Sequence, residues 1–177
     1  MKRTNIFLCL LLSLALALPV CAQAAQETIT VYNWGDYIDE DVLYQFEDET
    51  GIRVVYETFE TNEDMYTKLK KSRAGYDVIF PSDYMVERMI KEKMLREIDW
   101  NNIPNAVQVQ ERFTNLSYDP ENKFSVPYTW GTMGILYNKT MVDEAPTSWS
   151  ALWDEQYAGS ILMLNSSRDT LAIELKA

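Results

Sequence analysis

Three short clusters combine aromatic rings, hydroxyls and carboxylates at close spacing. Trp34, Asp36 and Tyr37 lie within one turn-sized segment; Ser82, Asp83 and Tyr84 are consecutive; Asp169 closes the run Asn165-Ser166-Ser167-Arg168-Asp169. Ring faces attract an ammonium group by about 0.5–2 kcal/mol each, depending on desolvation. A carboxylate pairs with the same group through a charge-assisted hydrogen bond, and rings cover methylenes at about 0.8 kcal/mol per CH2. Rings and carboxylates together suit an organic cation with an alkyl spine, so Trp34, Asp36, Tyr37, Ser82, Asp83, Tyr84 and Asp169 are the residues from which a ligand site could be drawn. Each has a plainer reading. Trp34 fits a half-buried strand end, Tyr37 a staple onto the next helix, and Asp36 a solvated turn. Ser82 or Asp83 fits a helix cap, Tyr84 helix packing, and Asp169 an acid at a helix N-terminus. Trp130, Trp149 and Trp153 read as core.

What brings these clusters together is the pattern of elements. Residues 28–33, with Ile29, Val31 and flanking threonines, predict a strand. Residues 39–50 predict a helix that Asp39 caps and Gly51 ends, with Val42, Leu43 and Phe46 on one face. A second strand (52–59), a second helix (62–73, with Met65, Tyr66 and Leu69 on one face) and a short apolar strand (76–80) follow. Pro81 stops that strand, and a third helix runs to about Lys93. The β-α-β-α-β-α order implies parallel strands with helices on both faces. Residues 99–123 read as irregular. Strands at 133–138 and 161–164, a short helix at 148–155 and a last helix capped by Ser166 or Ser167 complete the pattern. In an open α/β sheet ligands bind beyond the carboxyl ends of the strands. All three clusters follow predicted strands, and Tyr128-Thr129-Trp130-Gly131 precedes another, so they converge on one rim.

The chain begins as an export signal. Lys2 and Arg3 precede an apolar run over 6–20, and Ala22-Gln23-Ala24 fits a small-x-small cleavage site. The run is too short for a membrane span. Lipid attachment at Cys21 is the rival reading, with Val20 a poor residue before it. Cleavage after Ala24 removes both cysteines and any disulfide. Taking Lys2 and Arg3 from the 16 basic residues leaves 14 against 27 acidic ones, a net charge of −13. Phosphate binding needs clustered Lys and Arg, so a nucleic-acid partner is not expected. The acidity accommodates a cationic ligand, although its plainer role is solubility. The 177 residues contain no histidine, which removes the commonest general base and transition-metal ligand and any Ser-His nucleophile. No metal or cofactor is expected. An anion-binding rim would want Arg or Lys, and Arg168 is the one cation beside it. A hydrolase using Asp36 and Asp169 as paired carboxylates is the enzymatic alternative; the residues favour a binder, not an enzyme.

Residues 31–38, 46–52, 76–84, 125–131 and 148–153 resemble the spermidine/putrescine-binding proteins of polyamine ABC importers. The Tyr-Asn-Trp-x-x-Tyr and Pro-Ser-x-Tyr elements together are fairly specific, and the likeness runs from about Thr28 to Asp169. It implies a periplasmic-binding-protein-like, Venus-flytrap (class II) α/β fold with a mostly parallel sheet flanked by helices. It also implies a monomer that captures putrescine or spermidine outside the cytoplasm and hands it to importer membrane subunits. The expected organisation is a signal peptide at 1–24, lobe one at 25–138, and a hinge crossing with the start of a second lobe at 139–177. By the resemblance, Trp34 and Tyr37 grip the ligand chain, Asp36 is the acid of that turn, Ser82 and Tyr84 follow the third strand, and Asp169 is one of two further acids. Ser166 stands where the other acid falls. Members of the family are roughly twice as long, so truncation is expected, with weak binding or none. The alternatives are a binder of another small solute on the same fold, and a non-functional fragment.

Overall fold

The computed structural model describes residues 26–71 and 75–177. The expected export signal at 1–24, both cysteines and the end of the second predicted helix at Arg73 lie outside the described residues.

β1 (Thr28–Trp34) is the central strand. It pairs in parallel with β2 (Arg53–Phe59) along its whole length, Thr28 opposite Arg53 and Trp34 opposite Phe59. On its other side it pairs with β3 (Val78–Ile79), Val31 opposite Val78 and Tyr32 opposite Ile79, giving the order β2-β1-β3. The third strand is shorter than the sequence predicts, but its flanks stay on the ladder: Asp77 N–H donates to Thr30 O and Phe80 N–H to Tyr32 O.

α1 (Glu40–Thr50) begins at Asp39, whose side chain accepts from Asp41 N–H, and ends at Gly51 in the left-handed region at φ 73°. α2 (Asn62–Lys71) and α3 (Asp83–Lys91) follow β2 and β3. The crossovers from β1 to β2 and from β2 to β3 run in opposite directions, so their common right-handedness sets α1 and α2 on opposite faces. The core agrees. Tyr32 and Phe59 from one sheet face join Met65 and Tyr66 of α2 and Met85 and Met89 of α3, while α1 contributes no buried residue. Tyr32 stacks on Tyr76 at 4.8 Å and meets Phe59 edge-on at 5.0 Å, arrangements that the ring quadrupole favours.

Beyond α3 the chain departs from expectation. The predicted strands at 133–138 and 161–164 do not form; Leu136 and Leu162 are 99% and 95% exposed. A continuous apolar run suits a strand covered on both faces, and a strand also needs a neighbour to take its backbone hydrogen bonds; neither run finds one among the described residues. The predicted helix at 148–155 is a pair of 3-10 turns, Trp149–Trp153 and Glu155–Tyr157. Trp130 and Trp153 are exposed, not core. The last helix, α4 (Ser167–Glu174), forms as predicted with Ser166 as its cap, accepting from Asp169 N–H.

Candidate functional site

The carboxyl end of β1 carries the best-defined part of the rim. Trp34 is half-buried, and four contacts fix it. Its Nε1–H donates to Phe80 O at 2.7 Å, its backbone N–H donates to Asn33 Oδ1 at 2.8 Å, and Tyr56 Oη donates to its carbonyl at 3.3 Å. Its ring packs on Phe59 at 4.5 Å. The strand-end reading of Trp34 is therefore right as far as it goes. The indole nevertheless also faces Tyr37, 5.9 Å away at 36°, and Tyr37 is 48% exposed. Asp36, between them in sequence, is exposed, and its carboxylate makes no hydrogen bond or ion pair among the described residues.

Tyr128 completes this corner. Its hydroxyl donates to Tyr37 O, and its ring meets Phe80 edge-on at 4.8 Å. Trp34, Phe80, Tyr128 and Tyr37 thus form a closed loop of contacts across three segments. The sequence reading placed Tyr128 near the rim but not among the site residues, because nothing local signals a partner 91 positions away.

The β3 end is built differently. Ser82 occupies the N-cap position of α3, yet its side chain makes no cap bond. Its Oγ accepts from Asn62 Nδ2 at 3.0 Å, and its N–H donates to Asn62 Oδ1 at 2.9 Å. The buried Asn62, read from sequence only as a cap, pins Ser82 to the start of α2 and leaves the serine O–H proton free. Tyr84 Oη donates to Glu63 Oε1 at 3.0 Å. Burial, reinforced by the Glu63 carboxylate, pushes the Tyr84 phenol up to about 12. Asp169 is exposed in the first turn of α4, its carboxylate without a partner among the described residues, and Arg168 beside it lies over the Tyr84 ring at 4.2 Å. Ser166, where the resemblance puts a second acid, is spent as the cap of α4.

Two groups are therefore brought together: Trp34–Asp36–Tyr37 at the carboxyl end of β1, and Ser82–Tyr84 after β3, met by Arg168 and Asp169 from the start of α4. An open hollow of about 410 Å³ on α2, lined by Asp64, Thr67, Lys68 and Lys71, shares no residue with either. Cations elsewhere sit on rings inside the chain: Lys68 over Tyr32, and Lys70 and Arg88 over Tyr66. Among the described residues none sits over Trp34, Tyr37, Phe80 or Tyr128. The exposed rings of Tyr37 and Tyr128 and the Asp36 carboxylate are open to an outside cation, with the half-buried Trp34 and Phe80 behind them.

The family model for bacterial extracellular solute-binding proteins matches residues 73–176. The chain belongs to that family. A second model, a hypothetical lipoprotein of the MG045 family, matches residues 1–116. The spermidine/putrescine-binding periplasmic protein of Escherichia coli K12 is 40% identical over 92% of this chain and 48% of its own length. The putrescine-binding periplasmic protein PotF of the same organism is 37% identical over 73% of the chain and 37% of its own length. Among solved structures, a spermidine/putrescine ABC transporter protein from Listeria monocytogenes superposes with a TM-score of 0.82 at 42% identity, covering 84% of this chain and 47% of that one. The PotD lipoprotein of Treponema pallidum superposes at 0.69 with 34% identity, covering 75% and 42%. The chain spans about half the length of the curated relatives it matches. The expected α/β periplasmic-binding-protein fold is thereby established, through a parallel sheet, flanking helices and these structural neighbours.

Proposed function

We propose that this chain captures polyamines of the putrescine and spermidine type outside the cytoplasm, for import by an ABC transporter. The observation that carries the reading is the Trp34–Tyr37 ring pair with the unpaired Asp36 carboxylate at the carboxyl end of β1. Asp169, Ser82 and Tyr84 are its second group of contacts, and Tyr128 holds the first group in place. The names of the relatives agree with this chemistry. Residues 25–138 serve as lobe one and 139–177 as the crossing to a second. The binder acts as a monomer, leaves its ligand chemically unchanged, and docks on the importer's membrane subunits.

Two open rings and one or two solvated carboxylates support affinity of about millimolar order, well short of a pocket that encloses its ligand. Calorimetric titration of the full chain with putrescine and spermidine, at low and moderate salt and with succinate as the anionic control, tests this. Saturable heat with the amines only, weakening as salt rises, is the expected result. Equal heat with succinate, or none with either amine, overturns the reading. A micromolar constant overturns the estimate that the rim is only half a site.

Lipid attachment at Cys21 is a second reading of how the chain is held outside the cell. The lipoprotein family model and the Treponema neighbour favour it. Incorporation of labelled palmitate that is lost in Cys21→Ser supports it, and a mature N-terminus after Ala24 refutes it.

A further inference from the structure

Among the described residues four cations lie over tyrosine rings, and three are held by carboxylates as well. Lys68, 4.7 Å over Tyr32, is paired with Glu57 at 2.7 Å. Arg88 and Lys70, 4.0 and 5.2 Å over Tyr66, are each paired with Glu92 at 3.0 Å. Arg168 differs. Its guanidinium stands 4.2 Å over the Tyr84 ring and makes no ion pair among the described residues. Arg112, over Phe113 at 4.6 Å and Trp130 at 5.3 Å, likewise has no carboxylate partner among the described residues, but neither of those rings belongs to the candidate site.

The position of Arg168 is not one its helix favours. It is the second residue of α4, where the macrodipole prefers an acid. What holds the guanidinium there is the ring. Tyr84 is in turn fixed by its hydroxyl bond to Glu63 at 3.0 Å, so the ring face is a preformed cation seat, not a surface that follows its occupant.

We propose that Arg168 is an internal stand-in for a ligand amine: its guanidinium occupies the cation seat on Tyr84 until an incoming ammonium displaces it. The proposal rests on the polyamine reading. Displacement is feasible because the contact is a single exposed cation–ring interaction without a salt bridge, the weak end of the range. The ejected guanidinium stays next to Asp169, whose free carboxylate can receive it or turn to the ligand. Arg168 then sets how tightly the β3 side of the rim holds an amine, and the released seat takes an alkylammonium of either diamine or triamine.

The test follows the Tyr84 ring itself. The full chain is labelled with 13C-tyrosine, Tyr84→Phe assigns the resonance, and spermidine is titrated into wild type, Arg168→Gln and Arg168→Lys, with Trp34 fluorescence read in parallel. Arg168→Gln empties the seat and is expected to bring Tyr84 to half-saturation at about two- to fivefold lower spermidine, the factor that a lost exposed cation–ring competitor is worth. Arg168→Lys, which keeps an internal cation, is expected to track wild type. An unchanged midpoint in Arg168→Gln, or a higher one, overturns the proposal. If Trp34 responds while Tyr84 does not, the proposal falls and the polyamine reading stands. If neither responds in any chain, both fall.

Discussion

Asp119 offers the sharpest test of how the second half of the chain supports the rim. It is 3% exposed, and its carboxylate accepts four hydrogen bonds. Oδ1 takes Lys123 N–H at 3.1 Å; Oδ2 takes Phe124 N–H at 2.9 Å, Ser125 N–H at 2.9 Å and Ser125 Oγ–H at 2.8 Å. The turn beneath it is closed by Asn122 N–H on Asp119 O, with Asn122 in the left-handed region at φ 48°, which asparagine tolerates. Three residues after Ser125 comes Tyr128, the clamp on the Tyr37 carbonyl. Asp119→Asn keeps the shape but has only one acceptor oxygen. Its best orientation leaves that oxygen on the Oδ2 side and turns an NH2 group against Lys123 N–H. One charge-assisted bond is lost, worth about 1.5–3 kcal/mol, and three others become neutral and weaker. The expected cost is about 3 kcal/mol, a large part of a stability of about 5–15 kcal/mol for a folded domain. In urea, with a slope of about 1–3 kcal/mol/M, the midpoint falls by roughly 1–3 M, and the near-ultraviolet signal of the rim aromatics falls with it. Asp119→Ala, which strands all four donors, falls further. A midpoint for Asp119→Asn within experimental error of wild type refutes the reasoning, because it means the turn opens without cost to the fold.

Three further outcomes follow from the same contacts. The Tyr66 hydroxyl, then Lys70 and Arg88, hold the Glu92 carboxyl down at about 2; a depressed carboxylate adds stability above its unfolded value near 4.5 and loses it as pH falls toward 2, so acid unfolding followed by circular dichroism flattens across that window in Glu92→Gln. Gly51 caps α1 at φ 73°, and Gly51→Ala is expected to lower stability by about 1 kcal/mol in urea unfolding, since an alanine pays for that conformation in strain. Asp36→Asn removes a carboxylate that stabilises nothing else among the described residues, and is expected to weaken calorimetric spermidine binding severalfold while leaving the unfolding midpoint unchanged.

The parts legible in the sequence are those with local causes. Asp39 and Gly51 mark the ends of α1 because a cap bond and a left-handed residue are decided within a few positions. The first two strands and the cap of α4 were read in the same way. What escaped reading depends on distant partners. Ser82 fits a cap by local pattern, but Asn62, 20 residues earlier, takes both its groups. Tyr84 looks like helix packing until Glu63 and Arg168 arrive from two other elements. The apolar runs at 133–138 and 161–164 carry a strand's composition, yet a strand exists only where another backbone accepts it.

The placing of individual acids bears on the two readings of the chain's acidity. Solubility alone asks for negative charge anywhere on the surface. The five ion pairs among the described residues join Lys68 to Glu57, Lys70 and Arg88 to Glu92, Lys91 to Glu87, and Lys123 to Glu121. Three of the five gather at the end of α3, one of them reaching it from Lys70 of α2, and Lys68 ties α2 to Glu57 on β2. Asp36, Asp83 and Asp169, at the carboxyl side or on the helices that start there, enter none of them. Acids outside these pairs also stand at the amino side, Glu27 before β1 and Asp48 and Glu49 at the end of α1, so what sets Asp36 apart is the Trp34–Tyr37 ring pair beside it. An open carboxylate next to two rings is what a cation site requires, and solubility does not call for it.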